Sequence, residues 1–253
     1  MSSEFMIDLH CHILPGIDDG AETVEEALAL ARCAVSNGIT HLLATPHVHA
    51  ERYDNDAASV EAVYRRFSQA LAEHGIPLQL YMAGEVRIGS ELLLMIPEGR
   101  IPFMGTWDGR QVMLLEFPHS HIPPGSDKLV KWLLARDILP MIAHPERNKA
   151  AMRDVTVLKP FRDLGCLFQV TAMSVSGDFG EPAQRLAEWL LVNQWVTVLA
   201  SDAHNLQYRP PNLEPGRAQA AAWIGEEAAW QLVRDNPARL LGLTPAAGSA
   251  ASC

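Results

Sequence analysis

The chain has 253 residues, 48% of them hydrophobic, and a formal net charge of −10. That length suits one large barrel or two small domains, and a single α/β barrel commonly has this size. The acidic balance argues against a nucleic-acid partner, because phosphate backbones select basic faces.

In chain order, the opening MSSEF has no apolar core and no cleavage pattern, so Met6 is a candidate native start and residues 1–5 an appended leader. Short apolar runs then follow at Met6–His10, His41–Thr45, Leu78–Ala83, Val112–Glu116, Ile138–Ala143, Leu167–Thr171 and Val196–Ala200. Between them lie amphipathic stretches at Thr23–Ser36, Ala57–Glu73, Ser126–Ala135 and Pro182–Val192. Thr23 and Glu26 have capping-box spacing at the head of the first helix, and Gly38 is placed to stop it. Strand–helix alternation predicts parallel strands joined by crossover helices. About seven such units predict a closed or nearly closed barrel, with a doubly wound open sheet as the alternative. No linker or repeat divides the chain, so one domain is expected, with a frayed Ala/Gly/Ser-rich tail at Pro245–Cys253. No apolar run approaches the ~18 residues of a membrane span. Cys11, Cys33, Cys166 and Cys253 are scattered without a CxxC pair, which predicts free thiols in a reducing compartment and hence a cytoplasmic protein.

Most predicted strands run into a metal-binding type of side chain. The first leads to His10 and His12, the second to His47, the third to Glu85, the fourth to Glu116, the fifth to His144, and the last to Asp202 and His204. All parallel strands of a barrel end on one face, so residues far apart in sequence converge there. In extended chain His10 and His12 share a face, as do Asp202 and His204. By the same parity Asp8 points with His10 and is expected to stand behind its imidazole, fixing the tautomer. Imidazoles and carboxylates without cysteine suit manganese, iron, zinc or magnesium rather than a thiolate zinc site. Taken singly, each residue has a bland reading. An HxH arises by chance, Glu85 can assist a helix cap, and His144 can be a satisfied core histidine. The coincidence across strand ends is what favours a metal centre. His41, His74, His119 and His121 fall outside the pattern, and His49 is left open. Arg147 and Arg209 follow His144 and His204 closely, and a guanidinium fork grips a phosphoryl group in bidentate fashion.

These residues resemble the PHP (polymerase and histidinol phosphatase) superfamily. The likeness lies in DLHCHILPGIDDG from Asp8 to Gly20, TPHVH at Thr45–His49, GEV at Gly84–Val86, LLEF at Leu114–Phe117, AHPER at Ala143–Arg147 and SDAHN at Ser201–Asn205. LPGIDDG, TPHVHAERYDN and HPERN are most similar to the CpsB-type bacterial protein-tyrosine phosphatases linked to capsule and exopolysaccharide. The resemblance implies a distorted (β/α)7 barrel and three divalent ions, manganese foremost. It places one ion on His10, His12, Glu85 and Asp202. A second takes Glu85, Glu116 and His144, and a third Asp19, His47 and His204. Arg147 and Arg209 match the phosphate-binding positions. The family's common TPHH has Val48 at its second histidine here. The implied activity is hydrolysis of phosphotyrosine on a cognate tyrosine autokinase. Such a cluster draws its nucleophile from water near neutral pH, so no catalytic cysteine is needed. A phenolate (pKa ~10) leaves more readily than a serine alkoxide. Arg52 and Tyr53 are candidates for the rim of an open, peptide-accepting site. The alternatives are a small-molecule phosphatase such as histidinol phosphatase, a nuclease module disfavoured by the charge, and a non-catalytic metal-bound regulatory scaffold.

Overall fold

The computed structural model describes residues 5–243. Of the expected leader only Phe5 is described, and the expected tail Pro245–Cys253 lies outside the described residues. The strands are β1 (Met6–Cys11), β2 (Ile39–Ala44), β3 (His47–Val48), β4 (Gln79–Met82), β5 (Glu85–Arg87), β6 (Gly105–Trp107), β7 (Arg110–Glu116), β8 (Ile138–Ala143), β9 (Leu167–Thr171) and β10 (Val198–Ala200). One sheet has the order β1-β2-β4, and the other β10-β9-β8-β7-β5-β3, with β6 antiparallel to β7.

Two strands resume beyond the expected runs His41–Thr45 and Leu78–Ala83 after a short break. Thr45 and Pro46 separate β2 from β3, and Ala83 and Gly84 separate β4 from β5. Hydrogen bonding nevertheless continues across both breaks, through Ala83 N to Ala44 O (2.8 Å) and Glu85 N to Pro46 O (3.0 Å). Each broken pair therefore fills one strand position. At the other seam, Asp202 N donates to His10 O and His12 N to Ala203 O, both at 2.8 Å, and Cys11 bridges Ala203 in parallel fashion. The path thus passes through seven parallel strand positions and returns to β1, as expected for the α/β barrel class. The distortion is greatest between β5 and β7, where the one-turn helix Leu92–Met95 and β6 replace a full crossover helix.

The helices Ala57–Glu73 and Ser126–Leu134 form within a residue of where the sequence places them. At the head of Val24–Ser36, Thr23 accepts from Glu26 N (3.2 Å), but Glu26 reaches back to Glu22 N (2.8 Å) rather than to Thr23. The reciprocal capping box occurs instead at Asp56 and Ser59. Cys11, Cys33 and Cys166 are free thiols, and no helix among the described residues is long and apolar enough to cross a membrane.

Two apolar layers follow from strand alternation. Ile7, Leu9, Leu43, Val112, Leu114 and Met141 form one cluster. Side chains from opposite arcs of the ring meet only inside it, so this cluster is the barrel's interior. A larger cluster fills the space between strands and helices.

In β1 the register slips between Asp8↔Leu42 and Cys11↔Ala44, three residues facing two. This bulge changes the parity of the strand. Ile7 and Leu9 face inward before it, and His10 and His12 face the mouth after it. Asp8 consequently does not share His10's face, which corrects the expectation drawn from an unbroken strand. Its fully buried carboxylate accepts from Ser201 N (3.0 Å), Ser201 Oγ and His10 N (3.3 Å). Asp8 is the clasp that joins the first strand to the last.

Without this acceptor, the Ser201 and His10 amides would lie unsatisfied in a dry seam. Asp8→Ala should lower the unfolding free energy of the metal-free protein by roughly 2–4 kcal/mol. A urea midpoint matching that of the unmodified chain would show that the clasp contributes nothing.

Candidate metal centre

Each expected ligand except Asp19, which lies in the loop after β1, stands where a strand ends or breaks. His47 and Glu85 begin the continuation strands β3 and β5 and are direct neighbours in register. Glu116 closes β7 on the inward parity of Val112 and Leu114. His144 and Asp202 follow β8 and β10 with φ of +31° and +52°. Left-handed backbone is uncommon for residues other than glycine. At His144 it ends the strand directly, at Asp202 it follows the strand end by two residues, and at both it turns the side chain into the mouth. The loop after His12 folds back on itself, with Ala21 N donating to His12 O (3.2 Å). Gly20 permits this approach, since a Cβ there would lie 1.9 Å from His12 O.

Glu85 is the hub. Its Oε2 lies 3.5 Å from His10 Nε2, 3.4 Å from His12 Nε2 and 2.9 Å from His47 Nδ1, while Oε1 lies 2.6 Å from His144 Nε2. Asp202 Oδ1 is 3.3 Å from both His10 Nε2 and His12 Nε2. Asp19 Oδ1 lies 3.3 Å from His47 Nε2 and 3.5 Å from His204 Nε2. The nine expected ligands fall into four groups of donor atoms close enough to share a cation: His12, Asp19, His47 and His204; His10, His12 and Asp202; His10, Glu85 and His144; and His47, Glu85 and Glu116. The expected third set reappears with His12 added. Glu85 divides between two groups rather than joining the His10–His12–Asp202 group.

The electrostatics are those of a crowded acidic pocket. Burial acts to raise the pKa of Glu85, yet His10, His47 and His144 hold it well below the usual carboxylate range. Asp202 is likewise raised by burial and held well below that range by His10, Arg209 and Arg147. Glu116 has less compensation. Burial and repulsion from Glu85 push it up to about 7 despite Arg87, whose Nε lies 3.1 Å from its Oε2. Burial draws His47 down, but Glu85 and Asp19 reverse this and carry it up to about 9. Burial dominates at His144 and His204, each drawn down to about 4. Protons on some imidazoles therefore compensate the carboxylates where cations otherwise would. Among the described residues, His47 Nδ1, Glu116 Oε2 and Asp202 Oδ1 are buried without a well-aligned hydrogen bond, although charged neighbours lie close. Buried polar atoms are rarely left so. Acceptors of this kind, facing one another, fit divalent cations.

Both candidate phosphate-binding arginines reach the same atom, Asp202 Oδ2, through Arg147 Nη1 and Arg209 Nη2. Arg147 also lies over the Phe179 ring, 4.8 Å from its centroid. At the rim Tyr53 stacks on His47 (5.4 Å, 8°) and Arg52 covers the Tyr53 ring. His49 joins none of the donor groups, nor do His41, His74, His119 and His121.

Sequence reasoning missed the groups that orient the imidazoles. Gln169 Oε1 lies 2.9 Å from His10 Nδ1, and Asp18 Oδ2 lies 2.6 Å from His12 Nδ1. These two, rather than Asp8, stand behind the histidines and select their tautomer. Asp18 also accepts from His47 N (3.0 Å). Glu146, fully buried, accepts from Thr171 N (3.0 Å) and Ser174 Oγ (2.7 Å), tying the turn between His144 and Arg147 to the end of β9. The doubled Asp of IDDG and the polar Gln169 inside an apolar strand were the available signals.

A family model described as capsular polysaccharide synthesis, CpsB/CapC, matches residues 6–242. The tyrosine-protein phosphatase YwqE of Bacillus subtilis is 33% identical over 204 residues, covering 81% of this chain and 79% of the relative. The tyrosine-protein phosphatase CpsB of Streptococcus pneumoniae is 27% identical over 245 residues, covering 93% and 98%. A crystal structure from work on YwqE and CpsB, described as unique metal-dependent tyrosine phosphatases, aligns with a TM-score of 0.87 at 31% identity and covers 94% of this chain and 96% of that one.

Protons on His47 and Glu116, with pKa values of about 9 and 7, compete with any cation bound there. Lowering pH through 9 and then 7 refills these sites, so apparent affinity should fall roughly tenfold per pH unit for each proton displaced. Calorimetric manganese titrations at pH 6 and 8.5, in buffers of different ionisation enthalpy, should show weaker binding at pH 6 and net proton release. An affinity independent of pH would contradict this account.

Proposed function

The chain belongs to the CpsB/CapC capsular polysaccharide synthesis family, and from that premise we propose that it is a metal-dependent protein-tyrosine phosphatase hydrolysing phosphotyrosine. The observation that carries this reading is the convergence of imidazoles and carboxylates into four donor groups at the barrel mouth with two guanidinium groups beside them. His10, His12, Asp19, His47, Glu85, Glu116, His144, Asp202 and His204 would hold divalent ions, three of them, with manganese foremost. When bound, such ions supply Lewis-acid polarisation and make water a competent nucleophile at neutral pH.

The chain's own residues do the rest. Arg147 and Arg209 bind and orient the phosphoryl oxygens, and their fork geometry matches the planar spread of charge in the transition state. Asp202 anchors both guanidiniums, so they are pre-positioned before substrate arrives. Gln169 and Asp18 hold the His10 and His12 rings through Nδ1, leaving Nε2 turned to the centre. Tyr53, stacked on His47, lies where the tyrosine ring of a substrate would approach. A phenolate leaving group (pKa ~10) departs without strong general-acid help, which favours aryl over alkyl phosphates. The physiological substrate in this reading is a cognate bacterial tyrosine autokinase that controls polysaccharide export, and the phosphatase acts in the cytoplasm.

Chelation should abolish hydrolysis of a phosphotyrosine peptide and manganese should restore it. His10→Ala and Asp202→Ala should each cost roughly a thousandfold in kcat, since Lewis-acid stabilisation is worth several kcal/mol. Full turnover by a chelated preparation, verified metal-free by elemental analysis, would refute the metal requirement.

Arg147→Lys keeps the charge beside Asp202 but loses the fork, so kcat/KM should fall roughly 10–100-fold with metal content unchanged. Parallel assays compare a phosphotyrosine peptide, the matching phosphoserine peptide and histidinol phosphate. Higher kcat/KM on either of the last two would overturn the tyrosine assignment while leaving the metal phosphatase intact.

A further inference from the structure

Asp19 and His204, members of one ligand group, also line a cleft of about 500 Å³. The cleft lies between the helix Val24–Ser36, which contributes Ala29 and Leu30, and the loop after Asp202, which contributes Leu206 and Tyr208. Glu22 and Glu26 add two carboxylates.

Leu206 is 49% exposed and Tyr208 69%. Their loop is nonetheless well fixed. Asn205 Oδ1 accepts from Gln207 N (3.2 Å) and Tyr208 N (2.8 Å), and Arg209 O accepts from His204 N (2.9 Å). Large apolar side chains presented to solvent on a fixed turn contribute little to folding. They do lower the ordering cost of binding a partner. A tyrosine ring offers much contact area at small entropic cost. Asp19 and His204 belong to both the cleft and a donor group, so the cleft adjoins the place where the phosphate would lie.

We propose that this cleft takes the polypeptide flanking the phosphotyrosine, with an apolar side chain against Leu206 and Tyr208 and a basic side chain against Glu22 and Glu26. The assignment rests on the phosphatase reading above. Its arguments are continuity with the ligand cluster and charge complementarity: a basic flank is attracted to these carboxylates and, at longer range, to a chain of net charge −10. The cleft would thus set sequence preference, while the metal centre sets the chemistry.

The test uses the manganese-loaded protein with p-nitrophenyl phosphate and two phosphotyrosine peptides, one with Leu and Arg beside the phosphotyrosine and one with Leu kept and Asp in place of Arg. The basic peptide should have a kcat/KM roughly fivefold higher, the sum expected of two partly exposed charge pairs. Glu22→Gln/Glu26→Gln should bring that ratio close to unity. Leu206→Ala/Tyr208→Ala should raise KM for the Leu–Arg peptide about tenfold, as burial of two apolar side chains implies, and leave p-nitrophenyl phosphate turnover unchanged. Equal peptide efficiencies in the unmodified protein, or peptide KM values indifferent to both variants, overturn the proposal while turnover of the small ester preserves the phosphatase reading. Loss of all turnover in the unmodified protein would remove that reading and this proposal with it. Sedimentation of each variant completes the test, because a changed oligomeric mass in Leu206→Ala/Tyr208→Ala would assign the cleft to a second copy of the chain and exclude the substrate.

Discussion

A carboxylate as deeply buried as Glu85 cannot remain ionised unless positive charge surrounds it, because removing a charge from water costs several kcal/mol. That constraint organises the mouth of the barrel. Four imidazoles converge on the two oxygens of Glu85, and two guanidiniums converge on one oxygen of Asp202. Where compensation is thinner, at Glu116, the proton returns near neutral pH. The pattern of raised and lowered pKa values is thus a map of where positive charge is abundant and where it is short. Cations seated among these donors relieve the shortage and release the imidazole protons, coupling metal loading to charge balance.

The backbone devices exist to deliver these side chains. A bulge in β1, two interrupted strands and two left-handed residues all occur at the ends from which ligands project. Regular barrel geometry supports the layer beneath, where Ile7, Leu9 and Leu114 pack as ordinary interior residues. Irregularity is confined to the layer above. Conformations that are sparsely populated in isolation persist where surrounding hydrogen bonds and packing over-determine them. Here the hydrogen bonds come from Asp8, Asp18, Gln169 and Glu146, none of which belongs to a donor group.

Much of this was legible in the sequence, because apolar runs report burial and burial reports strands. Ile138–Ala143 and Leu167–Thr171 match end to end. Eight of the nine candidate ligands could be read from their places at strand ends, and the ninth, Asp19, only from the family resemblance. What escaped had physical reasons. The continuation strands at His47 and Glu85 are two and three residues long, too short for any periodicity. The antiparallel strand Gly105–Trp107 carries only a weak apolar signal. Asp8 was misplaced because parity arguments assume an unbroken strand, and a bulge gives no warning in composition. Gln169 gives no strand-end signal, because it lies at the centre of its strand and reaches His10 from below.

The clasp between Asp8 and Ser201 spans 193 positions in sequence. During synthesis the first strand therefore emerges from the ribosome long before its partner exists. His10 and His12 spend that interval without Asp202, His204 or Arg209, and an early-captured cation has only part of its coordination shell. Contacts of such long range also slow the folding of the finished chain. Closure of the seam, and with it assembly of the candidate metal centre, is thus a late event in folding.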